Sequence, residues 1–323
     1  MSVEFIHTRE TKRVTVKKRA KKIIVYRCCY QSVTAYIFRN ETNMKNKDNF
    51  TLGWWSAGVT SAVACKIALE IYPNTKLYYI KIDSAHPDNE RFKKDCENWY
   101  GCKIETLQSH KYADQFDVIE KTGAINTPEG APCTKHLKKQ VRFDFERINE
   151  ISLFNDISIL NQVWGFEYNK KEINRAIRHG QQYPNTKPLF PLIEKGLSKE
   201  NCAGKILSAG IELPKMYELG YSNNNCVGCV KGGMGYWNKI RIDFPLHFDR
   251  MAKLERKIGY TCLHNEKEGN IYLDELNPKR GRMNKEIMPN CGLVCEVEFA
   301  DIPDKSLEDV IKGKMTIYEA IAA

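Results

Sequence analysis

The chain has 323 residues, of which 42% are apolar and 28% charged, and its formal net charge is +10. This length allows one large domain or two smaller ones with a buried core, and the composition excludes collagen-like and disordered classes. The sequence contains no apolar run long enough to span a membrane and no apolar stretch typical of a secretory signal. We therefore expect a cytoplasmic protein that is not a membrane protein, whose twelve cysteines are reduced thiols or metal ligands rather than disulfides.

The positive charge is concentrated at the N-terminus. Residues 1–43 contain ten Lys or Arg and three Glu, a net charge of +7, which leaves only +3 for the rest of the chain. Two interpretations stay open: a basic arm that binds nucleic acid, or an extension outside the native protein, with translation starting at Met44. The predicted organisation is this extension (1–43), a main domain (44–222), and a cysteine-rich module with C-terminal helices (223–323).

From residue 50 onward, short apolar runs alternate with segments of helical periodicity. Strands are expected at 51–55, 77–82, 104–107 and 157–165, and helices at 61–70, 88–100, 112–121 and 170–179. This alternation predicts βαβ units, and hence an α/β fold in three layers with a parallel sheet covered by helices on both faces. A further segment, 244–258, has the periodicity of an amphipathic helix that docks on the core.

Small and hydroxyl-bearing residues lie between the first predicted strand and its helix. Ser56, Gly58 and Ser61 belong to the stretch Ser-Ala-Gly-Val-Thr-Ser. At such a position the N–H groups of the helix start and the hydroxyl groups can hold phosphate oxygens. The stretch lacks the lysine of a Walker loop, and a plain strand-to-helix turn is the competing interpretation.

Polar residues also follow two later strands. Asp83 comes after the second strand, and Gly165 ends the strand at 157–165. On the next helix, Glu172 and Arg175 have a spacing that suits either a surface ion pair or the binding of an anion. Because the carboxyl ends of parallel strands share one edge of the sheet, we expect these positions to meet at a ligand site.

Two closely spaced cysteine pairs stand near the C-terminus, Cys226 with Cys229 and Cys291 with Cys295. Two such turns can supply the four thiolates of a tetrahedral site. The same ligand set suits zinc or a 4Fe–4S cluster, and spacing does not separate the two. Reduced structural cysteines or a redox pair remain the alternatives.

Cys133 stands apart, just before the basic stretch Thr-Lys-His-Leu-Lys-Lys. A helix start and nearby cations favour a thiolate, so Cys133 is a candidate sulfur-carrying nucleophile, or a third ligand beside Cys226 and Cys229; a buried packing role is the alternative. Lys231 lies in a glycine-rich stretch whose Tyr236 and Trp237 offer rings for stacking on nucleic acid, unless they belong to the core.

The order of these motifs resembles the phosphoadenosine phosphosulfate (PAPS) reductase-like family of the adenine nucleotide α-hydrolase-like (PP-loop) superfamily, of the type found in phages and mobile elements. The resemblance covers residues 50–260. It is carried by Ser-x-Gly-x-x-Ser after a strand, by a strand ending in Asp83, and by Glu-x-x-Arg after a later strand. Further matching stretches are His86-Pro87-Asp88, Pro188-Leu189, Pro191-Leu192, Ser198-Lys199-Glu200, Gly210 to Pro214, Met216-Tyr217, Gly220-Tyr221 and Asn225 to Cys229.

The resemblance implies a site for an adenine nucleotide, PAPS or ATP. Ser56, Gly58 and Ser61 would hold its phosphates, Asp83 would lie beside it, and Arg175 would contact an anionic group. Gly165 and Lys231 complete the set of nucleotide-binding candidates, with Cys133 as the catalytic residue and Cys226, Cys229, Cys291 and Cys295 as metal ligands.

The implied function is nucleotide-dependent sulfur chemistry, either reduction of activated sulfate with a thiol electron donor or sulfur transfer. Two alternatives remain. One is ATP-dependent adenylation and thiolation of a nucleic acid; the other is a non-catalytic module that binds nucleotide or nucleic acid around structural zinc. Two departures bear on the choice: Ala57 and Thr60 stand where ATP-cleaving members carry a glycine and an aspartate, and the chain lacks the C-terminal cysteine motif of true PAPS reductases.

Overall fold

The structure is a computed structural model that describes residues 4–8, 11–18, 21–27, 50–127, 130–148, 161–284 and 304–323. The chain divides into two compact units, Met1–Lys45 and Asn46–Ala323. The first unit contains a three-stranded antiparallel sheet in the order β1-β2-β3, formed by β1 (Glu4–Thr8), β2 (Thr11–Lys18) and β3 (Lys21–Arg27).

The second unit is built around a parallel sheet of five strands. These are β4 (Thr51–Trp55), β5 (Thr75–Ile80), β6 (Ile104–Leu107), β7 (Asn161–Val163) and β8 (Pro188–Leu189), in the order β6-β5-β4-β7-β8. β5 pairs with one side of β4 and β6 pairs with β5, whereas β7 pairs with the other side of β4. The point where the strand order reverses therefore lies between β4 and β7.

Helices connect and cover the strands. They are α1 (Val59–Ile71), α2 (Asn89–Tyr100), α3 (Gln115–Thr122), α4 (Pro132–Thr134), α5 (Gln140–Ile148), α6 (Lys170–Gln182), α7 (Pro191–Glu194), α8 (Lys199–Ser208), α9 (Lys215–Glu218), α10 (Met234–Asp243), α11 (Pro245–Ile258), α12 (Asp304–Ile311) and α13 (Ile317–Ala322). A π-helical turn, Lys135–Lys139, joins α4 to α5, and Pro184–Thr186 forms a 3₁₀ turn. The two short strands β9 (Leu263–Asn265) and β10 (Gly269–Ile271) form an antiparallel hairpin. Among the described residues, no helix is both long and apolar enough to cross a bilayer.

Adjacent residues of β4 face opposite sides of the sheet, as strand geometry requires. Trp55 packs with α1, α2 and α8, whereas Trp54 packs with α6, α12 and α13 on the other side. The predicted α/β fold, with helices on both faces of a parallel sheet, is confirmed. A third apolar cluster joins α3 to α9, α10 and α11, so residues on both sides of position 222 share one core. The predicted boundary at 222 lies inside the second unit.

The predicted strands at 51–55 and 104–107 are confirmed, as is the helix at 244–258, which forms α11. Several boundaries differ from the prediction, and three of them lie near the edge of the sheet. β5 ends at Ile80, α1 already begins at Val59, and α3 begins only at Gln115 because the carboxylate of Asp114 caps it. Residues 157–160 lie outside the described part of the chain, and only 161–163 of that predicted strand form β7.

Candidate functional site

A cavity of about 150 Å³ opens at the carboxyl edge of the sheet, where the strand order reverses. We call it the large cavity. Its floor is formed by the residues that end β4 and follow β7, namely Trp54, Trp55, Trp164, Gly165 and Phe166. Its polar wall comprises Ser56, Gly58, Thr60, Ser61, Asn89, Lys138, Glu167, Glu172, Arg175, Lys199, Asn223, Asn224, Asn225 and Cys226. An apolar floor with convergent polar groups is what a small-molecule site offers.

The loop between β4 and α1 is held together by the hydroxyl of Ser61. This hydroxyl donates to the carbonyl of Gly58 (2.9 Å) and accepts from the N–H and the hydroxyl of Ser56 (3.0 and 3.1 Å). One donor and two acceptor positions are all that a serine hydroxyl has. In this structure Ser61 therefore shapes the loop, and Ser56, which is exposed, is the hydroxyl better placed to meet a ligand.

A second layer of residues supports the same loop. Ala57 has a left-handed backbone conformation (φ 60°), and its carbonyl accepts a hydrogen bond from the side-chain amide of Asn224 (2.8 Å). Burial raises the pKa of Tyr217 to about 12, and the nearby backbone N–H groups of Val59 and Asn224 partly oppose this rise. The asparagine run at 223–225 is thus tied to the loop before any ligand binds.

The two glycines of the site have different structural roles. A Cβ on Gly165 would lie 2.8 Å from the backbone N and Cα of Ser61, so a glycine is required here for the segment after β7 to touch the start of α1. A Cβ on Gly58 would meet the hydroxyl oxygens of Tyr217 and Ser56 at ordinary distances of 3.5 and 3.8 Å, and Gly58 has an extended backbone (φ −98°). Packing does not require a glycine at 58. Close approach of a ligand to the start of α1 would require one.

Glu172 and Arg175 form the ion pair that their spacing allows. One guanidinium nitrogen of Arg175 lies 2.8 Å from each carboxylate oxygen of Glu172, and the guanidinium lies over the Phe166 ring. Both side chains also line the large cavity. The two interpretations of this pair are therefore compatible, since the carboxylate orients a guanidinium that borders the ligand space.

Lys199 brings a further positive charge to the cavity. Its ammonium donates to the carbonyl of Ser222 and to the side-chain oxygen of Asn223 (2.6 Å), and burial lowers its pKa. The backbone N–H of Lys199 donates to the carboxylate of Glu167 (2.6 Å), whose pKa burial raises. Burial thus disfavours both charges, and an anionic ligand near Lys199 would offset that cost for the ammonium.

A second, smaller cavity of about 20 Å³ adjoins the large one. We call it the small cavity. Its lining includes the three thiols of Cys133, Cys226 and Cys229, and it shares three residues with the large cavity: Ile82, Lys138 and Cys226. Only Cys226 of the three thiols lines both. The structure thus brings together Cys133 and the CxxC pair, which lie more than ninety residues apart in the chain.

The CxxC turn closes around the hydroxyl of Tyr236. The backbone N–H groups of Gly228 and Cys229 donate to this hydroxyl (3.0 and 2.8 Å), which donates in turn to the carbonyl of Cys226. Gly228 has the positive φ (77°) that the turn needs. The turn is also tied to the segment that follows β5, because the N–H of Val227 donates to the carbonyl of Ser84 (2.9 Å).

The predicted four-cysteine metal site lies only in part within the described residues. Within the described ranges, no group of three or more His, Cys, Asp or Glu side chains is arranged to hold a metal ion. The predicted ligands Cys291 and Cys295 lie outside those ranges. Cys262 packs against the same apolar cluster as Cys133. Burial raises its pKa strongly, as do Glu255 and Cys133.

Two of the predicted nucleotide-binding residues, Asp83 and Lys231, line neither cavity. Asp83 is exposed and accepts a hydrogen bond from the side-chain amide of Gln108 (2.8 Å). The stacking role considered for Tyr236 and Trp237 is wrong, because both rings are buried on α10 (3% and 0% exposed).

Sequence reasoning missed Lys138, Glu167, Lys199, Tyr217 and Asn224 as lining residues. Lys199 and Tyr217 lay within stretches that carried the family resemblance, and the asparagine run at 223–225 was visible as a change in composition. Compared with models of protein families, the chain matches none, and no curated protein matches it significantly.

Proposed function

We propose that the chain is a PAPS reductase-like protein that carries out sulfur chemistry on an adenine nucleotide bound in the large cavity. One observation carries the proposal: the large cavity, at the strand-order reversal, shares a wall with the cavity that contains three thiols. A nucleotide held against the Ser56–Ser61 loop would have its reacting end close to Cys226. The family resemblance points to the same chemistry.

The proposed reaction starts from an activated sulfate. A thiolate attacks the sulfur atom, the bond between that sulfur and the phosphate oxygen breaks, and the nucleotide leaves as adenosine 3′,5′-bisphosphate. The protein then holds an S-sulfonated cysteine. A second thiolate, from the protein or from an external thiol donor, attacks the cysteine sulfur; sulfite leaves with the bonding electron pair and a disulfide forms.

The residues of the large cavity have clear parts in this scheme. Arg175 and Lys199 offer positive charge to the anionic groups of the nucleotide, and Lys138 offers it at the wall next to the thiols. Cys226 is the thiol nearest the nucleotide space, whereas Cys133 lines only the small cavity. We therefore propose Cys226 as the attacking thiol and Cys133 as the second. No step of this scheme runs through zinc or an iron–sulfur cluster.

The decisive experiment measures both nucleotide reactions with one preparation. The protein is purified without oxygen, its zinc and iron are determined, and it is incubated with radiolabelled PAPS and dithiothreitol. Sulfite release that Cys226→Ser abolishes and Cys102→Ser preserves supports the proposal. Cys102 is the matched control because it is a half-buried thiol outside both cavities.

Other outcomes select the alternatives. Release of AMP and pyrophosphate from ATP, only when RNA or DNA is added, would indicate adenylation of a nucleic acid. Thr60, in place of an aspartate, makes that the second choice because the loop lacks a carboxylate for the metal ion of ATP. Stoichiometric zinc with no reaction of either nucleotide would instead indicate a binding module and overturn the proposal.

A further inference from the structure

The carboxylate of Glu167 presents a hydrogen-bond acceptor to the large cavity. Glu167 lines that cavity and is half-buried. One of its oxygens, Oε2, accepts a hydrogen bond from the backbone N–H of Lys199 (2.6 Å). Within the described part of the chain, the other oxygen, Oε1, accepts no hydrogen bond, and the carboxylate forms no salt bridge. Oε1 also keeps accessible surface, so a ligand in the cavity can reach it.

The surroundings of Glu167 hold the carboxylate in place without neutralising it. Lys199 is the first residue of α8, and its N–H is one of those that a helix cannot satisfy internally. Burial raises the pKa of Glu167, and the charges of Glu172 and Glu200 add to this, whereas the N–H and the ammonium of Lys199 oppose it. A half-buried carboxylate without an ion pair is costly unless a donor meets it. The open oxygen is therefore suited to a donor group of the ligand.

The place of Glu167 in the chain indicates which part of a nucleotide it meets. Gly165, two residues earlier, touches the start of α1, since a Cβ there would lie 2.8 Å from the backbone of Ser61. Two residues of extended chain span at most about 7 Å, so Glu167 follows closely behind this contact. With the phosphates at the Ser56–Ser61 loop, the next unit of a nucleotide is the ribose, and the base lies further away.

The charge of Glu167 narrows the choice of ligand group further. Phosphate and sulfate groups are negatively charged at neutral pH, so a carboxylate repels them. Ribose hydroxyls are uncharged and donate hydrogen bonds, which a carboxylate accepts more strongly than a neutral oxygen does. In PAPS the 3′ oxygen carries a phosphate, which leaves the 2′-hydroxyl as the ribose donor. The ammonium of Lys199, on the same wall, offers positive charge to that 3′-phosphate.

We propose that the carboxylate of Glu167 accepts a hydrogen bond from the 2′-hydroxyl of the bound nucleotide, and so selects ribonucleotides over 2′-deoxyribonucleotides. This inference rests on the proposed function, because it takes the ligand to be a nucleotide with its phosphates at the Ser56–Ser61 loop.

The test is a set of binding measurements by titration calorimetry with the full chain. The ligands are ATP, 2′-deoxyATP, 3′-deoxyATP and ITP, together with adenosine 3′,5′-bisphosphate and its 2′-deoxy form. Loss of the 2′-hydroxyl should weaken binding to the wild type roughly tenfold, the order expected for one hydrogen bond to a charged group. 3′-DeoxyATP, and ITP, which lacks the amine of adenine, should bind like ATP.

The variants are judged by the ratio of affinities for a ribonucleotide and its 2′-deoxy form, which is insensitive to a general loss of binding. In Glu167→Ala the ratio should fall to about one. This variant should still fold, because Ser198 and Asn201 form a capping box at the start of α8. Glu167→Gln keeps a side-chain oxygen and should retain a smaller preference for the ribonucleotide.

Glu200→Ala is the matched control. It removes the same charge from the next residue but one of the same helix start, where Glu200 is exposed and lines neither cavity. The ratio should stay at the wild-type value in this variant. A change in the ratio as large as that in Glu167→Ala would assign the preference to the general field of the carboxylates and overturn the proposed contact.

Three further results would overturn the inference. Equal binding of ribo and 2′-deoxy forms by the wild type removes its basis, and so does a preference that persists in Glu167→Ala. Weaker binding of 3′-deoxyATP or ITP, with 2′-deoxyATP bound like ATP, would assign the carboxylate to another donor. These results leave the proposed function intact, because a nucleotide still binds. If neither ATP nor the bisphosphate binds the wild type, the nucleotide hypothesis fails and the inference fails with it.

Discussion

The side-chain amide of Asn224 donates a hydrogen bond to the carbonyl of Ala57, a residue 167 positions earlier in the chain. Ala57 is one of two non-glycine residues with positive φ in the described part of the chain. A left-handed alanine costs about 1–2 kcal/mol, so the surrounding contacts must hold it in place. The bond thus links the candidate phosphate loop to the residues that precede the CxxC turn.

This link can be tested through stability. Asn224→Ala leaves the carbonyl of Ala57 without its side-chain donor, and we expect the free energy of unfolding to fall by about 1–3 kcal/mol. Asn74→Ala is the matched control, because Asn74 is exposed, and it should change stability by less than about 0.5 kcal/mol. Urea denaturation measures both. Equal stability of the two variants would contradict the structural role of the Asn224 amide.

Substitutions at Gly165 and Gly58 should have different effects, the first on stability and the second on nucleotide binding. Gly165→Ala places a Cβ against the backbone of Ser61, and we expect it to lower the free energy of unfolding by about 1–3 kcal/mol. Gly58→Ala fits sterically and should change stability by less than about 1 kcal/mol. It should nevertheless weaken nucleotide binding roughly tenfold, by keeping the ligand from the start of α1.

Thermal unfolding and nucleotide titration of both variants provide the measurement. Gly204→Ala, in α8 with no atom within 4 Å of the added Cβ, controls for the general effect of replacing glycine in a helix. If Gly58→Ala binds nucleotide like the wild type, the ligand does not approach the loop there.

His179 should make stability depend on pH. Its ring is fully buried among Trp164 (4.3 Å between ring centres), Tyr183 and Phe166, and neither ring nitrogen has a partner. Burial lowers its pKa well below the ordinary 6.5, and the positive charges of Arg142, Arg175 and Lys139 add to the effect. Below about pH 6.5 the unfolded chain therefore binds a proton that the folded chain excludes, so stability falls as the pH falls.

This one proton changes the free energy of unfolding by at most about 1.4 kcal/mol per pH unit. Leucine is close to histidine in volume, and we expect the His179→Leu variant to lose this contribution to the pH dependence between pH 6.5 and pH 5. Urea denaturation across this range measures it, and His110→Asn, at an exposed position, serves as the control. An unchanged slope in His179→Leu would show that the ring is accessible to protons.

The hydroxyl of Tyr236 should be necessary for the CxxC turn. Tyr236→Phe removes the acceptor of two buried N–H groups, and we expect a loss of about 1–3 kcal/mol in unfolding free energy. The thiols of Cys226 and Cys229 should also be alkylated faster, as followed by peptide mass spectrometry. Tyr260→Phe, at a position 62% exposed, is the control. Unchanged alkylation would mean that other contacts hold the turn.

The sequence predicted the fold well where local patterns are strong. The apolar run that became β4 was found because a strand that is buried throughout leaves a continuous apolar signal. Tyr112 was assigned to a helix that in fact begins at Gln115, since the cap formed by Asp114 is a hydrogen bond and not an apolar pattern. The helix α10 was missed because its glycine-rich start, Gly232 and Gly233, is typical of a loop.

The candidate site was predicted only in part. Ser56, Gly58, Ser61, Gly165 and Arg175 do line the large cavity, because the edge of a parallel sheet collects the ends of its strands. Asp83 follows β5 at the same edge of the sheet, but its side chain is exposed. A difference of one or two residues in where a strand ends decides which way the next side chain faces.

Residues and their spacing alone determined the class of fold, the loop of small residues after β4 and the presence of a CxxC turn, since these depend on neighbours along the chain. Only the tertiary structure decided that Asn224 meets Ala57, that Cys133 joins Cys226 and Cys229, and that the two cavities share a wall. Such contacts join distant segments, and their formation depends on how the helices pack on the sheet. The +10 charge illustrates the same division: its clustering in residues 1–43 is a property of the sequence, but the cations that line the large cavity were brought there by folding.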